Sequence, residues 1–263
     1  MNIIVCLKQV PDTTEVRIDR ETNTLIREGV PSIVNPVDLH AVEAALALRQ
    51  RFGGRVTVLS MGPPQVETAL REALSLGADE AVLLCDRAFA GSDTLATSCT
   101  LAAGIRKTGP FDLVLCGRQA IDGDTGQVGP ELAEWLGIPH ITCVSSVDEV
   151  TPEDITVSRL TEGGCERVKA TRPALLTVVK ELNEPRLPSY RASLRAKTQP
   201  VTVWGAADLD LEPERMGIPG SPTKVTRTFV PELGRKGQFL TGSPEQQAGE
   251  LIAALRAARI VHG

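Results

Sequence analysis

The sequence predicts an α/β protein, a three-layer sandwich with a mostly parallel sheet and an extended C-terminal arm. Two observations predict this class. In the first part of the 263-residue chain, short apolar runs alternate with segments whose apolar residues repeat at helical spacing. Such alternation is typical of strand–helix units that build a parallel sheet. From about residue 181 the chain is polar, proline-rich and poorly periodic, which indicates an arm and not another layer.

The elements of the first domain follow in chain order. Residues 2–7 form the first predicted strand, and residues 41–52 form a helix that Gly53 ends as a C-terminal cap. Two prolines stand at the start of the helix predicted at 63–76, where proline fits. The other predicted helices are 94–107 and 130–136, and the other predicted strands are 55–60, 80–85, 112–116, 141–147, 155–160, 166–170 and 175–179. We therefore predict a first domain at 1–185 whose last strands finish the sheet in mixed orientation.

Two segments depart from this alternation. Residues 15–28 alternate polar and apolar side chains, which predicts a hairpin that either decorates the surface or contacts a partner chain. The arm, 186–263, contains a predicted strand at 201–204 and a terminal helix at 244–259. It is either disordered or wrapped around another subunit. We favour wrapping because the arm is too apolar for a free tail; its large apolar residues include Leu187, Leu194, Trp204, Leu209, Leu211, Ile218, Phe229 and Val230.

Composition excludes several classes of function. A net charge of −5 and only 3% aromatic residues argue against a nucleic-acid partner. The first residues, M-N-I-I-V-C-L-K-Q-V, have no basic region ahead of a long apolar stretch, so they predict a strand and not a signal peptide. No window reaches the roughly 18 apolar residues that a membrane span needs. We therefore expect a cytoplasmic protein without a membrane span.

The chain lacks the usual signatures of covalent or metal catalysis. Its three histidines, His40, His140 and His262, are far apart, so neither a metal ligand set nor a catalytic residue is predicted. No dinucleotide-binding G-x-G-x-x-G, no P-loop and no G-x-S-x-G nucleophile elbow follows a strand. Buried free thiols are favoured over disulfides, because no C-x-x-C pair occurs among the six cysteines: Cys6, Cys85, Cys99, Cys116, Cys143 and Cys165.

Candidate ligand-binding residues lie after the strands, since ligands of open parallel sheets bind beyond the carboxyl ends of the strands. Four segments meet this condition: Cys6, Leu7 and Lys8; Asn35, Pro36, Val37 and Asp38; Ser60, Met61 and Gly62; and Gly117, Arg118, Gln119, Ala120, Ile121, Asp122, Gly123, Asp124, Thr125, Gly126, Gln127 and Val128. The fourth is glycine-rich and precedes a helix, so its amides, Thr125 and Gln127 can bind a phosphate. Asp122 and Asp124 would repel one, so they are expected to cap turns or reach hydroxyls. An ordinary structural turn explains this loop as well.

Taken together, these segments resemble the beta subunit of the electron-transfer flavoprotein family. Five blocks carry the resemblance: 34–46, 56–64, 70–84, 183–197 and above all 112–139, which contains G-R-Q-A-I-D-G-D-T-G-Q-V-G. The resemblance implies an adenine-nucleotide-binding α/β domain that pairs with an alpha subunit carrying FAD. It implies a pocket at Cys6, 35–38, Met61 and 117–128, which holds AMP in typical members. It also implies that 186–197 docks onto a partner dehydrogenase of the acyl-CoA type, with Leu187, Tyr190 and Leu194 as docking residues. Many members have an aliphatic anchor where we align Tyr190, which leaves the partner's identity open.

Three features resemble the subset of the family that carries a second FAD in place of AMP. They are G-S-D-T-L-A-T-S at 91–98, G-S-P-T-K-V at 220–225 followed by F-V-P-E at 229–232, and Arg118. In that subset the second FAD takes a hydride from NADH. One electron then passes to the alpha-subunit FAD and the other to a low-potential acceptor, ferredoxin or flavodoxin. The resemblance implies that the following residues contact this flavin: Asp93, Thr94, Thr97, Ser221 and Thr223.

The same residues also have plain structural interpretations. Asp93 and Thr94 open a helix, whose N–H groups suit a pyrophosphate or a flavin edge, but Ser92 or Asp93 can equally be a simple N-cap. Residues 221–223 can be an ordinary turn. Three functions therefore stay open: a bifurcating FAD-binding redox subunit, which we favour, an electron carrier with structural AMP, and a stand-alone nucleotide-binding protein of stress-protein type.

Overall fold

A computed structural model describes residues 1–12, 17–18, 25–26, 31–226, 237 and 239–261. Its strands are β1 (Asn2–Cys6), β2 (Gln9–Pro11), β3 (Arg17–Ile18), β4 (Leu25–Ile26), β5 (Ser32–Val34), β6 (Arg55–Met61), β7 (Glu80–Leu84), β8 (Leu113–Gly117), β9 (His140–Val150), β10 (Asp154–Thr161), β11 (Gly164–Thr171), β12 (Ala174–Val178) and β13 (Thr202–Trp204). Its helices are α1 (Pro36–Phe52), α2 (Glu67–Leu76), α3 (Thr94–Thr108), α4 (Val128–Leu136), α5 (Tyr190–Thr198) and α6 (Pro244–Ala257).

The main sheet has nine strands among the described residues, in the order β11-β10-β9-β12-β8-β1-β6-β7-β13. In this spatial order, every neighbouring pair from β9 through β12, β8, β1, β6 and β7 to β13 is parallel. By contrast, β10 is antiparallel to both β9 and β11. This arrangement confirms the predicted α/β class and the mixed orientation of the last strands. It also brings the carboxyl ends of β1, β6, β8 and β12 to one edge of the sheet.

Helices cover both faces of this sheet. Along β1, Ile3 and Val5 join an apolar cluster that contains buried residues of α1 and α2. The alternate residues, Ile4 and Cys6, join a second cluster that contains residues of α3 and α4. Strands buried on both faces are apolar throughout, and this is why the central strands were visible as continuous apolar runs. The three-layer sandwich is confirmed.

Helix α1 begins earlier than the sequence predicted. It starts at Pro36, which occupies the first turn, directly after Asn35. Proline is favoured there because the first N–H groups of a helix have no intrahelical acceptor. The consequence is that Asp38 lies in the first turn of a helix that begins at the carboxyl edge of the sheet.

The compact unit of the first domain extends to Thr226, and a second unit comprises 227–263. The sequence placed this boundary at 185. The difference arises because β13 pairs with β7 and because Leu209 and Met216 are buried in the cluster with α3 and α4. Helix α5 was not predicted, since Ala196 is the one buried residue among its nine and a helix that is polar on nearly all sides shows no apolar period.

Within the second unit, α6 has no buried residue, and Leu251 and Ile252 on it are about half exposed. Wrapping of this unit around another chain stays a prediction. The residues Phe229 and Val230 of that prediction lie outside the described residues. In the predicted hairpin at 15–28, β3 and β4 pair antiparallel, and its remaining residues also lie outside the described part.

No helix in the described part of the chain is both long and apolar enough to cross a bilayer. Within the same residues there is no group of three or more His, Cys, Asp or Glu side chains that could hold a metal ion. All six cysteines are free. Cys6, Cys99 and Cys116 are buried as predicted, whereas Cys165 is exposed at the edge strand β11.

Candidate nucleotide site

Asp38 joins two strand ends at the carboxyl edge of the sheet. Its Oδ2 accepts a hydrogen bond from the N–H of Lys8 at 2.8 Å, and its Oδ1 accepts one from the N–H of Gly117 at 2.9 Å. The residue is 5% exposed. Burial raises the pKa of Asp38 to about 6, against these two hydrogen bonds, which lower it. The carboxylate therefore holds the loops after β1 and β8 in fixed positions.

Asn35 fastens the glycine-rich loop to the same point. Its Nδ2 donates to the carbonyl of Gln119 at 3.0 Å, and its Oδ1 accepts from the N–H of Ile121 at 3.2 Å. Both polar atoms of the side chain thus have a partner inside the protein, and the residue is 1% exposed. Asn35 and Asp38 thus act as positioning residues beneath the loop.

The first half of the glycine-rich loop is closed on itself. The N–H groups of Gly123 and Asp124 both donate to the carbonyl of Ala120, at 3.3 and 2.9 Å. Asp122 pairs with Nζ of Lys8 at 2.7 Å. The second carboxylate of the loop, Asp124, accepts from Nε2 of Gln119 at 2.8 Å. Asp122 thus pairs with a lysine outside the loop and Asp124 with an amide inside it, whereas the sequence predicted that they cap turns or reach hydroxyls.

The second half of the loop leaves its polar groups open. The N–H groups of Thr125, Gly126 and Gln127, and the Thr125 hydroxyl, make no hydrogen bond within the described part of the chain. Thr125 is exposed, and these groups lead directly into α4, which begins at Val128. Free amides at a helix N-terminus can bind an anion. Arg118 adds a positive charge to this loop. No carboxylate of the described residues neutralises that charge, since none lies within 4.0 Å of the guanidinium.

A second cluster joins the start of α3 to the 217–223 segment. Asp93 caps α3, with Oδ1 accepting from the N–H of Ala96 at 3.0 Å. Its Oδ2 accepts from both the N–H and the hydroxyl of Thr223, at 3.0 and 2.7 Å. Ser221, which is buried, accepts from the N–H of Asp93 at 2.8 Å and donates to the carbonyl of Gly217 at 2.7 Å. Both structural alternatives raised by the sequence, the N-cap and the turn, are therefore present.

The ionisation of Asp93 suits this role. Burial would raise the pKa of Asp93, but the hydrogen bonds from Ala96 and Thr223 outweigh burial and lower it. Asp93 is therefore an anion that holds two segments together, separated in sequence by about 130 residues.

Thr94 connects this cluster to the glycine-rich loop. Its hydroxyl lies 3.2 Å from Oε1 of Gln127 and 3.1 Å from Oε1 of Glu131 on α4. Ser98, one turn further along α3, donates to Oε2 of the same Glu131 at 3.3 Å. Glu131 and Ser98 were not predicted as site residues, because no local pattern in the sequence indicates a contact between two helices.

The remaining candidates lie around these two clusters. Cys6 and Leu7 end β1, the hydroxyl of Ser60 donates to the Leu7 carbonyl at 2.7 Å, and Met61 and Gly62 follow at the end of β6. Thr97 is half-buried on α3 and bonds through its N–H to the Asp93 carbonyl. Burial and, to a smaller extent, the nearby Asp38 charge raise the pKa of the Cys6 thiol to about 12. This raised pKa argues against a thiolate nucleophile here.

The three predicted docking residues form a separate group away from the strand ends. Leu187, Tyr190 and Leu194 are 90%, 82% and 47% exposed. Tyr190 and Leu194 lie on α5, which packs beside α2. The structure therefore brings the nucleotide candidates together at one edge and leaves the docking candidates exposed on α5 and just before it.

The fold and this edge define an α/β protein with a glycine-rich loop at the carboxyl ends of parallel strands. A family model described as the electron transfer flavoprotein domain matches residues 22–209. The electron transfer flavoprotein subunit beta of Clostridium acetobutylicum is 52% identical over 256 residues, which cover 97% of this chain and 98% of that protein. The chain belongs to the electron transfer flavoprotein family, among its beta subunits, whose function is electron transfer.

Two further relatives have other names. The chain is 50% identical over 263 residues to the caffeyl-CoA reductase–Etf complex subunit CarD of Acetobacterium woodii, covering 99% of this chain and 100% of the relative. It is 47% identical over 262 residues to the protein FixA of Bradyrhizobium diazoefficiens, covering 97% and 91%.

Proposed function

We propose that the chain is the beta subunit of a cytoplasmic, heterodimeric electron-transfer flavoprotein whose nucleotide site holds FAD and uses NADH as the electron donor. FAD, when bound, supplies a ring system that accepts a hydride from NADH and releases the two electrons singly, one toward the alpha-subunit FAD and a dehydrogenase and one toward ferredoxin or flavodoxin. The observation that carries the proposal is that the start of α3 contacts both candidate segments: Thr94 bonds to Gln127 of the glycine-rich loop, and the adjacent Asp93 bonds to Thr223.

The residues present fit such a group. Thr125, Gly126 and Gln127 offer N–H groups, and Arg118 a cation, that have no acceptor or carboxylate partner, respectively, among the described residues and could bind a pyrophosphate. Thr94 and Thr223 would extend the polar lining beyond the phosphates, as a ligand larger than AMP requires. Asp93 acts behind Thr223, whose N–H it binds, and Ser221 accepts from the N–H of Asp93. Gly117, Asn35 and Asp38 hold the loop that carries the phosphate-binding groups.

The name of the Acetobacterium relative supports the choice of partner, because that protein is a subunit of a complex with a CoA-ester reductase. We propose that Leu187, Tyr190 and Leu194 contact a flavin dehydrogenase of the acyl-CoA type. These three apolar or aromatic side chains are exposed to solvent and are therefore available for contact with a partner surface.

One observation favours the alternative, an electron carrier with structural AMP. The carboxylate of Asp93 and the hydroxyl of Ser221 find all their partners inside the protein. They can therefore fasten the α3 and 217–223 segments together without touching a ligand. The two functions differ in the ligand that the same pocket retains.

Replacing Thr94 and Thr97 by Val is expected to lower the flavin content of the beta subunit while the alpha-subunit flavin stays bound. The substitutions remove hydroxyls that the larger ligand would contact, without changing side-chain shape. Flavin and AMP released from the purified heterodimer are counted, and reduction by NADH is followed in the visible spectrum. Thr108→Val, at the far end of α3, is the control, because its hydroxyl bonds only to the carbonyl of Ile105. A wild-type heterodimer that holds AMP and is not reduced by NADH would refute the FAD proposal.

Thr125→Val is expected to weaken nucleotide binding by about 1–2 kcal/mol, because a phosphate oxygen loses a hydrogen-bond donor. Calorimetric titration of nucleotide-depleted protein with FAD and with AMP measures the change. Thr161→Val, at the end of β10, serves as the control. Equal affinities in both variants and the wild type would place the phosphate elsewhere.

A further inference from the structure

Helix α5 carries exposed side chains, but it is short and buries little apolar surface that would stabilise it as a helix. It has nine residues, of which Ala196 alone is buried. Isolated helices shorter than about 12–15 residues are marginal in water. The order of α5, and with it the spacing of Tyr190 and Leu194 one turn apart on the same face, therefore depends on its packing beside α2 and on contacts at the ends of the helix.

Arg71 of α2 makes those contacts at the C-terminal end. Its Nη1 donates to the carbonyls of Ala196 at 2.7 Å, Lys197 at 3.2 Å and Gln199 at 3.2 Å. The last carbonyls of a helix have no intrahelical donor and carry the negative end of the helix dipole. A guanidinium in this position satisfies several of them at once and adds a favourable charge.

Glu67 holds the Arg71 guanidinium in this position. It lies one turn earlier on α2, with its Oε1 2.8 Å from Nε and 2.6 Å from Nη2 of Arg71. The fork of the guanidinium is therefore fixed on one side by a carboxylate and directed at α5 on the other. A lysine could supply the charge but not this two-sided contact.

The chain ahead of α5 is tied to α1 in a similar way. Arg186 forms a two-pronged ion pair with Glu43, from Nε to Oε2 at 2.7 Å and from Nη2 to Oε1 at 2.8 Å. Ser189 then caps the helix by accepting from the N–H of Ala192 at 3.2 Å. Both ends of the segment are thus anchored, and the exposed side chains lie between the anchors.

We infer that Arg71 is a positioning residue for partner docking: it keeps α5 helical, so that Tyr190 and Leu194 are presented together to the dehydrogenase. The inference rests on the proposed docking function of this segment. Arg71 itself faces the carbonyls of α5, and its effect on a partner is exerted through the helix.

Trypsin tests the first half of this inference, since Arg191, Arg195 and Lys197 are cleavage sites inside α5. In the complete heterodimer, Arg71→Ala is expected to speed cleavage at these sites roughly tenfold, because loss of charge-assisted hydrogen bonds favours local opening. Arg71→Lys is expected to give an intermediate rate. Arg55→Ala, which removes an exposed ion pair with Glu80, is the control. An unchanged cleavage rate in Arg71→Ala would overturn the inference.

Electron delivery to a purified acyl-CoA dehydrogenase of the same organism tests the second half. Arg71→Ala is expected to raise the KM for the dehydrogenase roughly tenfold, in proportion to the loss of ordered helix, with kcat and flavin content unchanged. Faster cleavage with an unchanged KM would overturn the positioning role. Leu194→Ala separates the two claims. If it alone raises KM, docking through α5 stands and the inference about Arg71 fails; if neither variant does, the proposed docking function fails.

Discussion

Asp38→Asn is expected to destabilise the protein by about 2–3 kcal/mol at pH 7, where the folded protein holds Asp38 mostly as the carboxylate. Both carboxylate oxygens of Asp38 accept backbone N–H groups, from Lys8 and Gly117. Asparagine keeps the shape but offers one acceptor, so its amide N–H₂ faces one of these two donors. The lost bond is buried, and the unpaired N–H cannot turn to solvent. Urea unfolding of the wild type and the variant measures the difference.

The same pair of proteins is expected to differ in pH dependence. The folded-state pKa of Asp38 is raised to about 6 from the ordinary value of 3.8. The folded protein then binds more protons than the unfolded chain between these values. The contribution of Asp38 to stability is fully present below about pH 4 and is lost as the pH rises through 6. The wild-type advantage over Asp38→Asn should therefore shrink by about 1 kcal/mol between pH 5 and pH 7.

Asp122→Asn is the matched control for this experiment. Asp122 lies in the same loop system, but its pair with Lys8 is exposed, so its loss is expected to cost less than about 1 kcal/mol. If the stabilities of the wild type and Asp38→Asn change with pH in parallel, Asp38 does not titrate in this range and its environment differs from the one described above.

The sequence predicted those parts of the fold that local pattern determines. Continuous apolar runs located β6 and β7 to within a residue or so, because strands covered on both faces are apolar throughout. Helix α2 was visible for a related reason, since its buried residues, Ala69, Leu70, Ala73 and Leu74, form one apolar stripe.

The parts that the sequence missed depend on contacts distant in the chain. Helix α5, which the sequence did not predict, is stabilised by Arg71, far earlier in the chain. The strand at 201–204 was predicted, but its pairing with β7 at the edge of the main sheet was not. This is why the compact unit reaches Thr226 and not residue 185.

The candidate site also has features that the sequence predicted and features that it missed. Strand ends and the glycine-rich loop were predictable, because a parallel sheet gathers its carboxyl ends at one edge. The sequence could not predict which groups of the loop stay free for a ligand. The amides of Gly123 and Asp124 are consumed by Ala120, and only the folded loop shows that Thr125, Gly126 and Gln127 remain open.

Gly117→Ala is expected to destabilise the protein by about 3–5 kcal/mol, combining overpacking with loss of a buried charge-assisted hydrogen bond. A Cβ at this position would lie 2.4 Å from Oδ1 of Asp38 and 3.0 Å from the carbonyl carbon of Val37. The carboxylate cannot retreat without releasing the N–H of Gly117 or that of Lys8. Any relaxation therefore separates the loops after β1 and β8.

Gly123→Ala, in the same loop, isolates this steric cause. A Cβ there meets no atom within 4 Å, so its stability is expected to stay within about 0.5 kcal/mol of the wild type. Both substitutions reduce the flexibility of the unfolded chain equally, and unfolding in urea compares them directly. A large loss in Gly117→Ala alone would show that the contact between Gly117 and Asp38 fixes the loop. Equal, small effects would mean that the loop accommodates a side chain at Gly117. Asp38 would then not be the residue that positions the loops after β1 and β8 at the candidate phosphate site.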